Sequence, residues 1–316
     1  MKTYIIGHQK PDLDSVVAAM SIAEYLKFLG VQTVQPAIID NINEETRFVF
    51  DKFQVPPPEL ITLDSITPED KIVLVDHNEA DQRLVGLNQD QIISIFDHHK
   101  VNINFSSPIS VCILPYGSSN TVIWELMKNK NITIDPKLAS LMLSAVLSDT
   151  VGLKSSTTTE TDKLAVADLH KISGVLSIEN LTLEIFTAKS NIAALTDEQI
   201  VLNDYKVFDF GGKKVLIGQT ETVEQSEIIL VKKDKLLVAM EQIKKREGMD
   251  LIFLALTDIL KVNTKLLIVG DAEMTIAEKA FEAITISNIL DIGPRMSRKK
   301  DIAPQIENIL ISSTNQ

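Results

Sequence analysis

The sequence is short of thiols and rings: one cysteine, Cys112, five histidines and 5% aromatics in 316 residues. A single thiol has no intrachain partner, so a disulfide framework and a cysteine zinc cluster are both excluded, and a reducing cytoplasm is the expected compartment. Long apolar runs are missing too. No stretch approaches the roughly 18 residues of a membrane span, and the opening residues 1–9 hold too few apolar residues for a signal-peptide core, so neither a membrane partner nor signal-led export is expected. Positive charge is also scarce, with 31 Lys and Arg against 43 Asp and Glu for a net charge of −12. That field repels a long polyanion and argues against nucleic acid as a partner, but it leaves open the short-range capture of a small anion.

What is present is a globular composition, 45% hydrophobic, at a length that favours two domains. The first half alternates strand-like and helix-like runs. Tyr4–Ile6, Val34–Ile39, Ile72–Val75 and Ile92–Phe96 read as strands, and the last two are continuously apolar, as strands covered on both faces are. Ser15–Leu29, Glu44–Phe53, Ser119–Lys128, Pro136–Leu147 and Thr161–Ile172 read as helices. Around Phe186–Asn191 the pattern changes. Beyond it, Tyr205–Phe210 and Lys214–Gln219 flank a Gly211-Gly212 hairpin turn, and a helix over Lys232–Glu247 precedes strands at Leu251–Leu256 and Leu266–Val269. The expected fold is α/β: residues 1–188 with a mainly parallel sheet flanked by helices, and residues 189–316 as a smaller mixed α/β domain.

Chemistry-bearing residues gather where strands end. Gly7-His8-Gln9-Lys10-Pro11-Asp12-Leu13-Asp14-Ser15 follows the first strand, Asp76-His77-Asn78-Glu79 and Asp97-His98-His99 follow two others, and Ser148-Asp149-Thr150 ends an apolar helix. Carboxyl ends of strands line the ligand crevice of open α/β sheets, so these clusters can converge. One Asp at a strand end is ordinarily a turn or a helix cap. Four such clusters together point instead to a metal centre. His8, Asp12, Asp14, Asp76, His98 and Asp149 make a mixed nitrogen and oxygen set without thiolate, suited to Mn²⁺, Co²⁺ or Fe²⁺, and the excess of carboxylates suggests two ions. His77, Glu79 and Asp97 are weaker candidates that would orient a ligand or simply be solvated, and His170 reads as a surface residue. The basic run Arg295-Met296-Ser297-Arg298-Lys299-Lys300 is either an exposed loop or an anion clamp.

Together, Gly7-His8-x-x-Pro11-Asp12-x-Asp14-Ser15, Val75-Asp76-His77-Asn78-Glu79, Asp97-His98-His99, Ser148-Asp149-Thr150 and Ser297-Arg298-Lys299-Lys300 resemble, in order, the motifs of the manganese-dependent (family II) inorganic pyrophosphatases of the DHH phosphoesterase superfamily. The resemblance implies ligation of two Mn²⁺ or Co²⁺ ions per subunit by the six residues above, with Asp76 bridging. It further implies that His99 contacts substrate and protonates the leaving phosphate, that Lys206, Arg298 and Lys299 bind phosphate, that a Mg²⁺ accompanies the substrate, and that the chain is a homodimer through its first domain. Lys154-Ser155-Ser156-Thr157 and Gly117-Ser118-Ser119-Asn120 depart from the family pattern, and both are expected to lie clear of the ligands. The chain is too short for the family's inserted nucleotide-binding module.

The implied reaction is hydrolysis of diphosphate by a hydroxide shared between two metals, with cations of the second domain brought over the substrate about a hinge near residues 186–191. The rivals are a superfamily phosphodiesterase, which would carry a Gly-Gly-Gly-His-type motif absent here, an exopolyphosphatase, and a non-catalytic metal- or phosphate-binding regulator, which would have lost a ligand.

Overall fold

The computed structural model describes residues 1–190, 192 and 195–314. Two compact units share the chain, Met1–Lys189 and Ser190–Gln316. The first contains β1 (Thr3–Ile6), α1 (Leu13–Phe28), β2 (Val34–Ile38), α2 (Glu44–Phe53), β3 (Glu59–Leu60), β4 (Lys71–Val75), β5 (Ile92–Asp97), β6 (Ser110–Ile113), α3 (Ser119–Asn129), α4 (Pro136–Asp149), α5 (Glu160–Ser173) and α6 (Ile178–Ser190). Its six strands are all parallel in the order β3-β2-β1-β4-β5-β6. The expected fold class holds.

The continuous apolar runs have a simple cause. Ile5, Val73 and Val75 point into one core with residues of α1, α3, α4 and α5, while Tyr4, Ile6, Ile72 and Leu74 point into another, closed by Ile61, Leu84 and Leu87 from the segments between strands. Alternate residues serve opposite faces, so a strand buried on both must be apolar throughout. Helix ends follow local chemistry: Asp12, Asn43, Ser118 and Asp135 accept backbone N–H bonds at the starts of α1, α2, α3 and α4, and Gly174 takes a φ of 70° to close α5.

The second unit holds α7 (Asp197–Val201), β7 (Asp204–Phe210), β8 (Lys213–Thr222), α8 (Gln225–Arg246), β9 (Leu251–Asp258), β10 (Asn263–Ile268), α9 (Asp271–Phe281), β11 (Ile289–Asp291) and α10 (Ala303–Thr314). Its sheet runs β11-β10-β9-β8-β7 and is mixed: only β8 and β9 are parallel, joined through α8. Gly211 and Gly212 have φ of 63° and 84°, the backbone of a type I′ hairpin. One face packs on α9 and α10, the other on α8.

Two readings of the elements need correction. α8 starts at Gln225, seven residues before Lys232, because its first turns are largely exposed and lack the apolar period. α6, α7, α9, α10, β3, β6 and β11 have no counterpart in the sequence reading. The expected hinge at 186–191 is helical as far as Ser190, with Leu181, Ile185 and Phe186 buried along α6; Asn191 lies outside the described residues. Leu143, fully buried in the first unit, measures that core: Leu143→Ala is expected to cost about 2–5 kcal/mol in urea denaturation, and a loss under about 1 kcal/mol would refute the packing described.

Candidate metal centre

In the first sheet the strand order reverses between β1 and β4, and their carboxyl ends lead into His8 and Asp76. This is where open α/β sheets leave a crevice. The loop after β1 begins with Gly7 because nothing larger fits: a Cβ there would lie 1.9 Å from Ser15 Oγ, the hydroxyl that accepts the His8 N–H at 3.2 Å. Lys10, at a φ of 51°, turns the chain back so that Asp12 caps α1, its Oδ1 accepting from Ser15 N at 3.0 Å. Asp14, in the first turn of α1, is fully buried. The start of α3 clamps it, with the Ser118 hydroxyl, the Ser119 N–H at 2.7 Å and Asn120 Nδ2 at 2.8 Å all donating to its carboxylate.

Asp76 ends β4 at a φ of 61°, a left-handed conformation that costs a non-glycine residue about 1–2 kcal/mol. Its buried Oδ1 accepts from Ser119 Oγ at 2.8 Å. The Gly117–Asn120 loop therefore touches two of the candidate ligands, which corrects the expectation that it lies clear of them. Its signal in the sequence was a Ser at a helix N-cap with hydroxyl and amide residues following.

The two imidazoles decide what the cluster can hold. His8 Nδ1 faces Gln9 O at 2.7 Å and His98 Nδ1 faces Tyr116 O at 3.0 Å. A carbonyl only accepts, so each Nδ1 carries a proton and each Nε2 is left for another partner. His98 Nε2 is buried with no hydrogen-bond partner among the described residues, 3.5 Å from Asp76 Oδ1 and 3.5 Å from Asp149 Oδ2. His8 Nε2 lies 3.4 Å from Asp76 Oδ2 and 3.7 Å from Asp12 Oδ1. Lone pairs converging in this way repel unless a proton or a cation sits among them. Three overlapping sets have ligand atoms within 4.8 Å of one another: His8, Asp12 and Asp76; Asp14, Asp76, His98 and Asp149; and Asp76, His98 and His99. Asp76 belongs to all three. The donor set fits a borderline divalent ion, with the Nδ1 bonds supplying the orientation that metal-ligating histidines receive.

Protonation without a cation reports the same crowding. Burial, then the negative charge of Asp14, pushes both Asp76 and Asp149 well above the usual carboxylate range. Burial opposes charge on His8, but its contacts with Asp12 and Asp76 outweigh it and raise the imidazole to about 11. Asp12 moves down, since the bonds from His8 and Ser15 overcome its desolvation.

Comparisons with known proteins identify the family. Residues 2–146 match the family model described as the DHH family, N-terminal domain, and residues 183–309 that of the DHHA2 domain. The chain is 41% identical to the manganese-dependent inorganic pyrophosphatase of Methanocaldococcus jannaschii, covering 96% of this chain and 98% of that one. It is 36% identical to the protein so named in Methanothrix thermoacetophila, over 96% and 97%. The chain belongs to the manganese-dependent inorganic pyrophosphatase family. Among solved structures, one described as a family II inorganic pyrophosphatase of Methanococcus jannaschii aligns with a TM-score of 0.61 at 39% identity, covering 98% of this chain and 99% of that one. An exopolyphosphatase-related protein of Bacteroides fragilis, 13% identical with a TM-score of 0.50 over 99% and 93% of the two chains, shares the fold.

For a member of this family, the remaining candidates fall into distinct settings. His99 is half exposed, and its Nδ1 binds Asp97 Oδ1 at 2.8 Å. That bond is the main reason its pKa rises to about 9, while Asp97, despite burial, is pulled down to about 2 by His99 and by Asn78 Nδ2 at 2.6 Å. Asp97 is thus an orienting residue. His77 is buried edge-on to His8 at 6.3 Å between ring centroids, and burial lowers it to about 4. Glu79 Oε2 accepts the N–H of Asn78 at 3.3 Å. His170 is half-buried at the end of α5 with Nε2 on Val175 O at 2.6 Å, rather than a surface group. In the second unit Lys206 is exposed on β7, its Nζ 5.2 Å from the Phe208 ring centroid, and Lys299 is exposed beside the buried Arg298.

One group escaped the sequence reading. Glu45, in the first turn of α2 and 1% exposed, accepts from the hydroxyl of Ser148, the neighbour of Asp149, and lies 3.3 Å from Lys189 Nζ. Burial raises the Glu45 carboxyl. Only its place among the acidic residues at a helix start marked it.

The His99–Asp97 pair sets a testable pH dependence in the metal-free chain. A raised imidazole adds stability that is fully present below about pH 6.5 and fades as pH rises through about 9, whereas the depressed Asp97 adds stability present above about pH 4 and lost toward about 2. Titration of the imidazole resonances should place His99 well above 6.5, and Asp97→Asn should bring it down by a unit or more. A His99 that titrates near 6.5 in both proteins would remove the pairing.

Proposed function

We propose that this chain hydrolyses diphosphate to two orthophosphates, with residues 1–188 as the metal-binding catalytic domain and residues 189–316 as the substrate-binding domain. His8, Asp12 and Asp76 would hold one Mn²⁺ or Co²⁺, and Asp14, Asp76, His98 and Asp149 a second. One observation carries this reading: the two oxygens of Asp76 face different histidines, Oδ2 toward His8 and Oδ1 toward His98, as a carboxylate shared between two ions requires.

Two divalent ions, when bound, supply the positive charge that acidifies water and polarises phosphoryl oxygens. The chain's own residues do the rest. Asp97 keeps His99 protonated at neutral pH, so His99 Nε2 can give its proton to the oxygen leaving with the second phosphate as the anhydride P–O bond breaks. Lys206, Arg298 and Lys299 neutralise phosphoryl oxygens as negative charge builds up on them, with Mg²⁺ accompanying the substrate. Asp14 is rigid in its clamp and Asp76 is held by Ser119, so the ligands are preorganised and need not be gathered on binding. The protein would act in the cytoplasm as a homodimer.

The test is to strip the protein with a chelator, restore Mn²⁺, Co²⁺, Zn²⁺ or Mg²⁺ separately, and compare diphosphate, tripolyphosphate and a dinucleotide. Mn²⁺ or Co²⁺ should restore diphosphate cleavage most strongly. Fast cleavage of the dinucleotide with none of diphosphate would overturn the reading in favour of a phosphodiesterase. His98→Ala should lower Mn²⁺-activated turnover by about 100-fold or more, and unchanged activation would remove His98 from the ligand set.

A further inference from the structure

Arg298, assigned above to phosphate, already has an anion. It is 8% exposed, in the turn Arg298–Ile302, and its backbone N–H donates to Gln219 Oε1 at 3.2 Å. Gln219 Nε2 in turn donates to Met296 O at 2.8 Å, so the turn is fastened to β8. The guanidinium then reaches the start of β7: Nη1 donates to the Asp204 backbone carbonyl and Nη2 to Asp204 Oδ1 at 2.9 Å. Nε is buried without a partner among the described residues.

The two contacts differ in kind. The carbonyl belongs to a strand and fixes the plane of the guanidinium whatever stands at position 204. The carboxylate is a side chain that is 65% exposed, and an ion pair so open to water contributes little, about 0.2–1 kcal/mol. It also occupies the part of the fork that a phosphate takes with two hydrogen bonds. Lys206 stands two residues along the same strand, on the same face as Asp204.

We propose that Asp204 is a specificity-determining residue, an internal stand-in anion that a phosphate must displace from Arg298. It shields the guanidinium from weakly charged anions, and it yields to an anion carrying enough charge to engage Arg298 and Lys206 together. Orthophosphate, the product, is held back more than diphosphate, which favours product release. This inference rests on the phosphate-binding role of Arg298.

Two features make the exchange possible without disturbing the fold. Asp204 has no other hydrogen-bonded side-chain partner among the described contacts, so its carboxylate can swing into water. Arg298 keeps its carbonyl partner and its backbone bond to Gln219, so the guanidinium stays in place.

The experiment is a double-mutant cycle on the Mn²⁺-loaded protein, with orthophosphate as the ligand, its binding read both by calorimetry and as inhibition of diphosphate cleavage. Asp204→Asn should tighten orthophosphate about two- to fivefold and should lower the KM for diphosphate by less. Asp204→Ala checks that the effect follows loss of the carboxylate, and thermal unfolding confirms that each variant is folded. In the Arg298→Ala background the substitution should have no effect. Equal tightening with and without Arg298 would reduce Asp204 to a general contribution to the field and overturn the inference. Weaker orthophosphate binding, or none of the expected change in Asp204→Asn, would overturn it as well while leaving Arg298 in its role. An Arg298→Ala protein that binds orthophosphate and diphosphate like the unaltered chain would overturn that role and the inference with it.

Discussion

The structure depends on a repulsion. Asp12, Asp14, Asp76 and Asp149 and the Nε2 atoms of His8 and His98 converge at the carboxyl edge of one parallel sheet, and within the cluster the attraction of His8 to Asp12 and Asp76 offsets only part of that crowding. The other stabilising contacts come from behind: carbonyls on Nδ1 of each histidine, the start of α3 on Asp14, Ser119 on Asp76, and Ser15 on Asp12. Such a scaffold spends folding energy on keeping like charges close, and a bound cation returns it. Metal binding and folding of the first unit are therefore thermodynamically linked.

The parallel sheet explains why this arrangement is reachable. Strands buried on both faces leave only their ends free for polar residues, and the reversal of strand order between β1 and β4 opens a gap at those ends. α1, α3 and α4 bring the rest, α1 and α3 through their N-termini, where N–H groups favour carboxylates, and α4 by ending at Asp149. The strained φ of Asp76 is the local cost of turning a carboxylate from the end of a strand into that gap.

Much of this was legible in the sequence. The apolar runs Ile72–Val75 and Ile92–Phe96 gave away strands covered twice, and the residues following them are the ones brought together. What was hidden follows from two causes. Short elements and exposed apolar residues blur the period: β6 has four residues, and the apolar run Ile228–Val231 near the start of α8 leaves Leu230 and Val231 in water. Support contacts between distant segments leave no local mark, so Ser118, Ser119 and Asn120, 104 to 106 positions from Asp14, could be placed beside it only by the fold. The same holds for Glu45 and Ser148, 103 positions apart, and for Asp204 beneath Arg298, 94 apart.

In the metal-free protein the repulsion is relieved by protons, held on His8 against its burial by Asp12 and Asp76, and held on Asp76 and Asp149 by burial and the neighbouring carboxylates. A divalent ion must expel them. The most direct test is calorimetric titration of the stripped protein with Mn²⁺ at neutral pH in buffers of different ionisation enthalpy, which yields the number of ions bound and the protons released together. Two Mn²⁺ per chain with release of at least one proton is the expected result. Binding of a single ion, or of two with no proton released, would contradict a centre built on converging lone pairs.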